Sequence, residues 1–162
     1  MSVLSEANQY YHETLTSSVE SLISSGAFLE NESREIKKTG NNKKVICREN
    51  IPVRSKKKYS LIMDIYSPKT VPAEKLPVIV HLRCDSFIYG DRKHSRRFAE
   101  NMAGKGYLVF CIDYRPIFKT DLKKQVKDVA AGLEAVSKQL QEYDTDESRI
   151  FMTADPTAGF LA

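Results

Sequence analysis

The apolar positions of this chain change rhythm several times. Residues 5–25 carry Tyr11, Leu15, Val19, Leu22 and Ile23, preceded by Leu4, at helical spacing. Gly26 is a plausible stop for that helix. A polar stretch then runs to Thr39-Gly40-Asn41-Asn42, a turn signal. Val45-Ile46-Cys47 reads as a short strand, interrupted by Pro52 and the charged run that follows it. Over residues 59–66, Tyr59, Leu61, Met63 and Ile65 alternate with Ser60, Ile62, Asp64 and Tyr66, and Ser67-Pro68 ends the run. The two strands are expected to pair antiparallel.

From Pro77 onward the pattern is that of an α/β protein. Val78-Ile79-Val80-His81-Leu82 and Tyr107-Leu108-Val109-Phe110-Cys111-Ile112 are compact apolar runs, as in strands buried on both faces. Between them, residues 94–104 read as a helix with Phe98 and Met102 on its apolar side, closed by Gly104 and Gly106. Leu122, Val126, Val129, Leu133, Val136 and Leu140 step by three and four, which is one continuous helical stripe. Residues 149–154, with Ile150, Phe151 and Met152, form a third strand. Strand–helix–strand–helix–strand predicts right-handed parallel crossovers. The chain therefore divides into residues 1–42, a helix with a polar linker, and residues 43–162, an α/β domain.

Charge adds an asymmetry. Residues 1–35 hold six Glu against one Arg, and residues 36–58 hold nine Lys and Arg against one Glu. The basic block lacks aromatics to stack on bases and any nucleic-acid motif, so it reads as a solvated hairpin and linker, with nucleic acid not expected as a partner. No apolar run approaches the roughly 18 residues that span a membrane. The N-terminus lacks the basic and apolar regions of a secretory signal. Three scattered cysteines (Cys47, Cys84, Cys111) suit free thiols in a reducing compartment, hence a cytoplasmic location.

Four segments carry a resemblance. They are Met63-Asp64-Ile65-Tyr66-Ser67-Pro68; Leu76-Pro77-Val78-Ile79-Val80-His81-Leu82 with Phe87-Ile88-Tyr89-Gly90-Asp91; Phe98-Ala99-Glu100-Asn101 through Gly104-Lys105-Gly106-Tyr107 to Ile112-Asp113-Tyr114-Arg115; and residues 146–162. In this order, from about residue 58, the chain resembles the α/β-hydrolase esterase/lipase group that includes acetylesterases and carboxylesterase-like proteins. The resemblance implies the N-terminal half of an α/β-hydrolase sheet and an ancestry in carboxylic-ester hydrolysis, with no cofactor and no metal.

That chemistry needs a serine on a tight strand-to-helix turn, a histidine backed by Asp or Glu, and backbone N–H donors for the oxyanion. The family's nucleophile turn reads Gly-Asp-Ser-Ala-Gly-Gly. Here Ala154, Asp155, Pro156, Thr157, Ala158 and Gly159 stand in its place, with Leu161 and Ala162 fixing the register and Pro156 at the serine position. Proline has neither a nucleophile nor an N–H, and it suits the first turn of a helix, so residues 156–162 are expected to start one. The family's His-Gly-Gly-Gly loop is replaced by Arg83, Cys84, Asp85 and Ser86. Three glycines that let backbone approach substrate are gone, and a carboxylate takes their place. The acid and base that follow the serine in this family have no counterpart in the sequence. The resemblance thus implies a truncated, inactive member.

Substitutes are weak. Thr157 becomes the nucleophile if the register slides by one, but it lacks a base. Cys84 is near His81 and His94, yet positions 81 and 84 of a strand point to opposite faces, and an inert thiol is the simpler reading. His81, Cys84, Asp91 and His94 fit no standard zinc spacing. His12 falls on the polar face of the N-terminal helix. Asp113-Tyr114-Arg115 reads as the organiser of the loop after its strand. Two alternatives remain: a pseudo-hydrolase binding module of unknown partner, and an esterase with a non-serine nucleophile; self-association or pairing through the unpaired edge of the last strand is expected of the inactive member.

Overall fold

A computed structural model describes residues 44–56, 59–70, 72–82, 95–116, 119–154 and 158–161. The expected helix over residues 5–25, the turn at 39–42, the loop holding Arg83, Cys84, Asp85 and Ser86, and positions Asp91, His94, Asp155, Pro156 and Thr157 lie outside the described residues.

Five strands form one mixed sheet. They are β1 (Val45–Lys56), β2 (Tyr59–Pro68), β3 (Leu76–Leu82), β4 (Leu108–Ile112) and β5 (Thr145–Thr153). Their spatial order is β1-β2-β4-β3-β5. β1 and β2 pair antiparallel, β2 is antiparallel to β4, and β3 runs parallel to both β4 and β5. Helix α1 (Arg96–Gly104) connects β3 to β4, and α2 (Leu122–Leu140) connects β4 to β5. This is the expected partial α/β-hydrolase sheet.

Pro52 and its charged neighbours do not end β1, contrary to the sequence reading. The strand continues to Lys56 through register shifts between Arg48 and Ile51 and between Pro52 and Arg54. β1 lies at the sheet edge, where a residue lacking an N–H is tolerated. Asn50 takes the left-handed conformation (φ 61°) at the first shift. Its N–H donates to the buried Asp64 carboxylate at 2.7 Å, which holds the bulge.

Odd and even positions of the central strands feed different cores. Met63, Ile65, Val78, Val80, Leu82, Leu108, Phe110 and Ile112 pack with Val129 and Val136 of α2. Tyr66, Ile79, Val109 and Cys111 pack with Ala99 and Ala103 of α1. The alternation expected for β2 is therefore overridden near its end, where Asp64 and Tyr66 are as buried as Met63 and Ile65.

Helix α2 starts where Asp121 caps it, accepting from the Lys124 N–H at 2.8 Å. Its facing differs from the apolar stripe. Val129 and Val136 are buried, but Val126 and Leu133 are exposed, while Gln125, Asp128 and Gly132 turn inward. Gly132 explains the close approach: a Cβ there would lie 2.8 Å from Ile112 Cδ1. The turn after α1 uses Gly106 at φ +98°, with its N–H donating to the Ala103 carbonyl at 3.0 Å. β5 begins four residues earlier than expected, at Thr145, whose partner is Leu76. Instead of an α-helix start, residues 158–160 form a 3₁₀ turn, with Ala158 and Leu161 buried in the α2-side core.

Candidate functional site

The C-terminal ends of β3 and β5 and the start of α1 converge on one imidazole. His81 is the β3 partner of Thr153, the last residue of β5. Parallel pairing puts their side chains on the same face of adjacent strands, and His81 Nδ1 lies 3.0 Å from Thr153 Oγ1. Ser95 precedes α1 at its N-cap and is almost fully buried. Its hydroxyl lies 3.0 Å from His81 Nε2. The Phe98 ring packs against the imidazole with centroids 4.8 Å apart. A neutral imidazole has one donor and one acceptor nitrogen, so a hydroxyl on each side satisfies both. His81 is thus a strand residue, as expected, but also the centre of a polar cluster that the sequence reading did not assemble. Ser95 was missed because 14 residues separate it from His81, and Thr153 because 72 do. Only the β3–β5 register could have signalled the latter.

Ala154 follows directly, half-buried against the α2-side core. Gly159, the turn's last glycine, is exposed, and a Cβ on it would touch nothing. No close approach of the chain requires glycine there.

Asp113-Tyr114-Arg115 leaves β4 as an organiser. The Arg115 guanidinium forks onto Asp128 of α2 with contacts of 2.6 and 2.7 Å. Asp128 is fully buried and also accepts the Arg115 N–H at 3.2 Å. Gln125 Nε2 donates to the Arg115 carbonyl at 3.0 Å. Arg115 stacks over Tyr59 at 3.9 Å from the ring centroid. The Asp128 hydrogen bond holds the Arg115 pKa above its ordinary value. The contacts to Asp128 and Gln125 tie the β4 loop to α2, and the stacking on Tyr59 ties it to β2.

The described thiols offer no nucleophile. Cys111 is fully buried. Burial pushes the half-buried Cys47 thiol up to about 11, against a counteracting hydrogen bond from Tyr66. Burial likewise raises the Tyr66 phenol. Among the described residues, no group of three or more His, Cys, Asp or Glu could hold a metal ion, and no helix is long and apolar enough to cross a membrane. A cavity of about 400 Å³ lies between β1 and α2, floored by Ile51, Val53, Met63 and Ala135, and includes none of the cluster around His81.

The BD-FAE family model matches residues 63–162. The chain belongs to this family, within the α/β-hydrolase esterases. Among curated relatives of the family member described here, the probable isoprenylcysteine alpha-carbonyl methylesterase ICMEL1 of Arabidopsis thaliana is 26% identical over 100 residues, 62% of this chain and 21% of that protein. The probable isoprenylcysteine alpha-carbonyl methylesterase ICME of Oryza sativa subsp. japonica is 24% identical over the same share of this chain and 24% of its own. The chain thus matches about a fifth to a quarter of these relatives' length. Esterase B from Lactobacillus rhamnosis superposes with a TM-score of 0.69 at 20% identity, covering 94% of this chain and 48% of that one. A bacterial heroin esterase gives 0.64 at 23% identity over 74% and 38%. These likenesses establish the fold.

Proposed function

We propose that this chain carries the esterase scaffold of its family without sustained ester turnover: a pseudoenzyme of carboxylic-ester hydrolysis. One observation carries the reading. The position between the end of β5 and the turn at residues 158–160, where this family places its serine, is Pro156. A proline supplies no hydroxyl to attack an acyl carbon and no N–H to an oxyanion. Arg83, Cys84, Asp85 and Ser86 in place of the glycine loop act in the same direction, since one lost oxyanion donor alone costs on the order of 10²–10³ in rate. Both arguments hold whatever else of the protein follows Ala162. Cys47 and Cys111 as free thiols fit a reducing, cytoplasmic setting.

Short acyl nitrophenyl esters test the reading. Steady-state hydrolysis is expected to equal that of a Thr157→Ala/Cys84→Ala double variant. Turnover that the double variant loses would overturn it.

A second reading, a binding module, is favoured by β5. Ile150, Phe151 and Met152 are 46%, 50% and 37% exposed, so three consecutive apolar residues on both faces of an edge strand face solvent. Such an edge is a template for pairing, here with a second copy. Sedimentation velocity is expected to show a concentration-dependent dimer that Phe151→Lys abolishes; a monomer throughout excludes this reading.

A further inference from the structure

We propose that Ser95 is a relocated nucleophile, activated by His81 and Thr153, that accepts a small acyl group once per chain. Three requirements of an activated serine are met by residues that the family's own site does not use. First, nucleophile and base are in hydrogen-bond reach: Ser95 Oγ is 3.0 Å from His81 Nε2. Second, the base is oriented from its other side: Thr153 Oγ1 is 3.0 Å from His81 Nδ1. The tautomer with the proton on Nδ1 donates to Thr153 and turns the Nε2 lone pair onto the Ser95 hydroxyl. Third, the packing of Phe98 against the imidazole fixes the ring plane.

The start of α1 adds an electrostatic reason. A serine at an N-cap normally accepts a hydrogen bond from the first turn. Ser95 does not; its hydroxyl is spent on His81. The positive end of the α1 dipole therefore faces the same oxygen. That end favours negative charge developing on an acyl carbonyl bound to Ser95.

With p-nitrophenyl acetate the step balances. The Ser95 proton passes to His81 Nε2 as Ser95 Oγ bonds to the acetyl carbon. The aryl C–O bond breaks, nitrophenolate leaves with the bonding pair, and the proton is released from His81 to solvent. Ser95 is only 2% exposed, which limits the acyl group to a small one and makes reaction follow local opening of the first turn of α1. The same burial keeps water from the acyl-serine, so the acetyl group stays. One acylation without turnover is compatible with the loss of activity proposed above and goes beyond it.

The full chain is treated with p-nitrophenyl acetate and the adduct mapped by peptide mass spectrometry. One equivalent of nitrophenolate and acetylation of the peptide holding Ser95 are expected. His81→Gln should slow Ser95 acetylation by on the order of a hundredfold, the scale of a lost general base. Thr153→Val should slow it as well, and Thr153→Ser should restore it, which a purely structural role of the methyl group would not produce. Ser95 unmodified while lysines or other residues carry acetyl would overturn the proposal, as would an unchanged rate in a folded His81→Gln. Mapping on the unsubstituted chain decides the matter even where a variant fails to fold. Continuous turnover surviving Ser95→Ala would instead count against the inactivity reading alone.

Discussion

Under α2, the sheet presents a continuous apolar floor from β2 to β3, and the helix meets it with Val129, Val136 and the bare backbone of Gly132. The Arg115–Asp128 fork enters this face with both charges paired, beside the buried Gln125. Under α1, the floor is smaller: Tyr66, Ile79, Val109 and Cys111, met by two alanines. Here the polar side chains are His81 with its two hydroxyls, the Cys47–Tyr66 pair, and the buried carboxylates of Asp64 and Glu100, which accept from the Asn50 N–H and from Arg96. Packing area and a saturated ion pair hold the first face. The second holds less apolar area and keeps side chains whose hydrogen bonds can be exchanged. The first face is therefore where substitutions should cost stability, and the second is where chemistry is available.

Breaking the ion pair is the largest test of that difference. Asp128→Ala leaves the Arg115 guanidinium, only 16% exposed, without its partner. A loss of about 3–5 kcal/mol is expected in urea unfolding, the usual cost of orphaning a buried charge. Replacing both partners by apolar residues, as in Arg115→Met/Asp128→Leu, should cost far less than the single change, because no charge is then stranded. A double variant as unstable as Asp128→Ala would show that the fork supplies something other than mutual neutralisation.

Helix α2 also shows what the sequence could and could not reveal. Its limits were legible, since six apolar positions at three- and four-residue steps lie between the capping Asp121 and Gln141. Its facing was not. Hydropathy places Val126 and Leu133 inward, but Asp128 must meet Arg115 and Gly132 must meet Ile112, so the helix turns and leaves those two apolar residues exposed. Tertiary pairing overrode periodicity. β1 failed for a related reason: Pro52 ends a strand in isolation, yet a bulged edge has room for it. The likeness of residues 63–162 to the family was readable because it rests on local strings. The cluster around His81 was not, because it exists only once β3 and β5 are in register.

The close contact at Gly132 gives a middle-sized test. Gly132→Ala should gain about 1 kcal/mol of helix propensity. The new Cβ would lie 2.8 Å from Ile112 Cδ1 and 3.3 Å from Ile112 Cβ, and Ile112 is fully buried with no room to turn. Overpacking of this kind costs roughly 1–3 kcal/mol, so the net effect should be a small loss. In an Ile112→Val background the Cδ1 is gone, and Gly132→Ala should there approach neutrality or become stabilising. Thermal melts of the four chains close the cycle; equal effects in both backgrounds would mean that the helix shifts rather than clashes.

The smallest expected effect belongs to the α1 face and is a pH effect. The Cys47 thiol is raised from 9.0 to about 11, mainly because burial disfavours the thiolate. The folded chain then holds a proton between these values that the unfolded chain has released. Stability from this group is present below about 9 and is lost as pH rises toward 11. Half-exposure and solvent screening keep the loss small. Tyrosines and lysines titrate in the same range, so the measurement is a difference: urea midpoints of the parent and Cys47→Ala, followed from pH 8 to about 11. The parent is expected to lose slightly more stability across that window. Thiol-reagent labelling of Cys47 at pH 8 should be correspondingly slow, and slower still in Tyr66→Phe, because the phenol hydrogen bond is what pulls the thiol down. Faster labelling in Tyr66→Phe would mean that the phenol shields the sulfur rather than stabilising its thiolate, and the contrast between the two faces would then rest on access instead of charge.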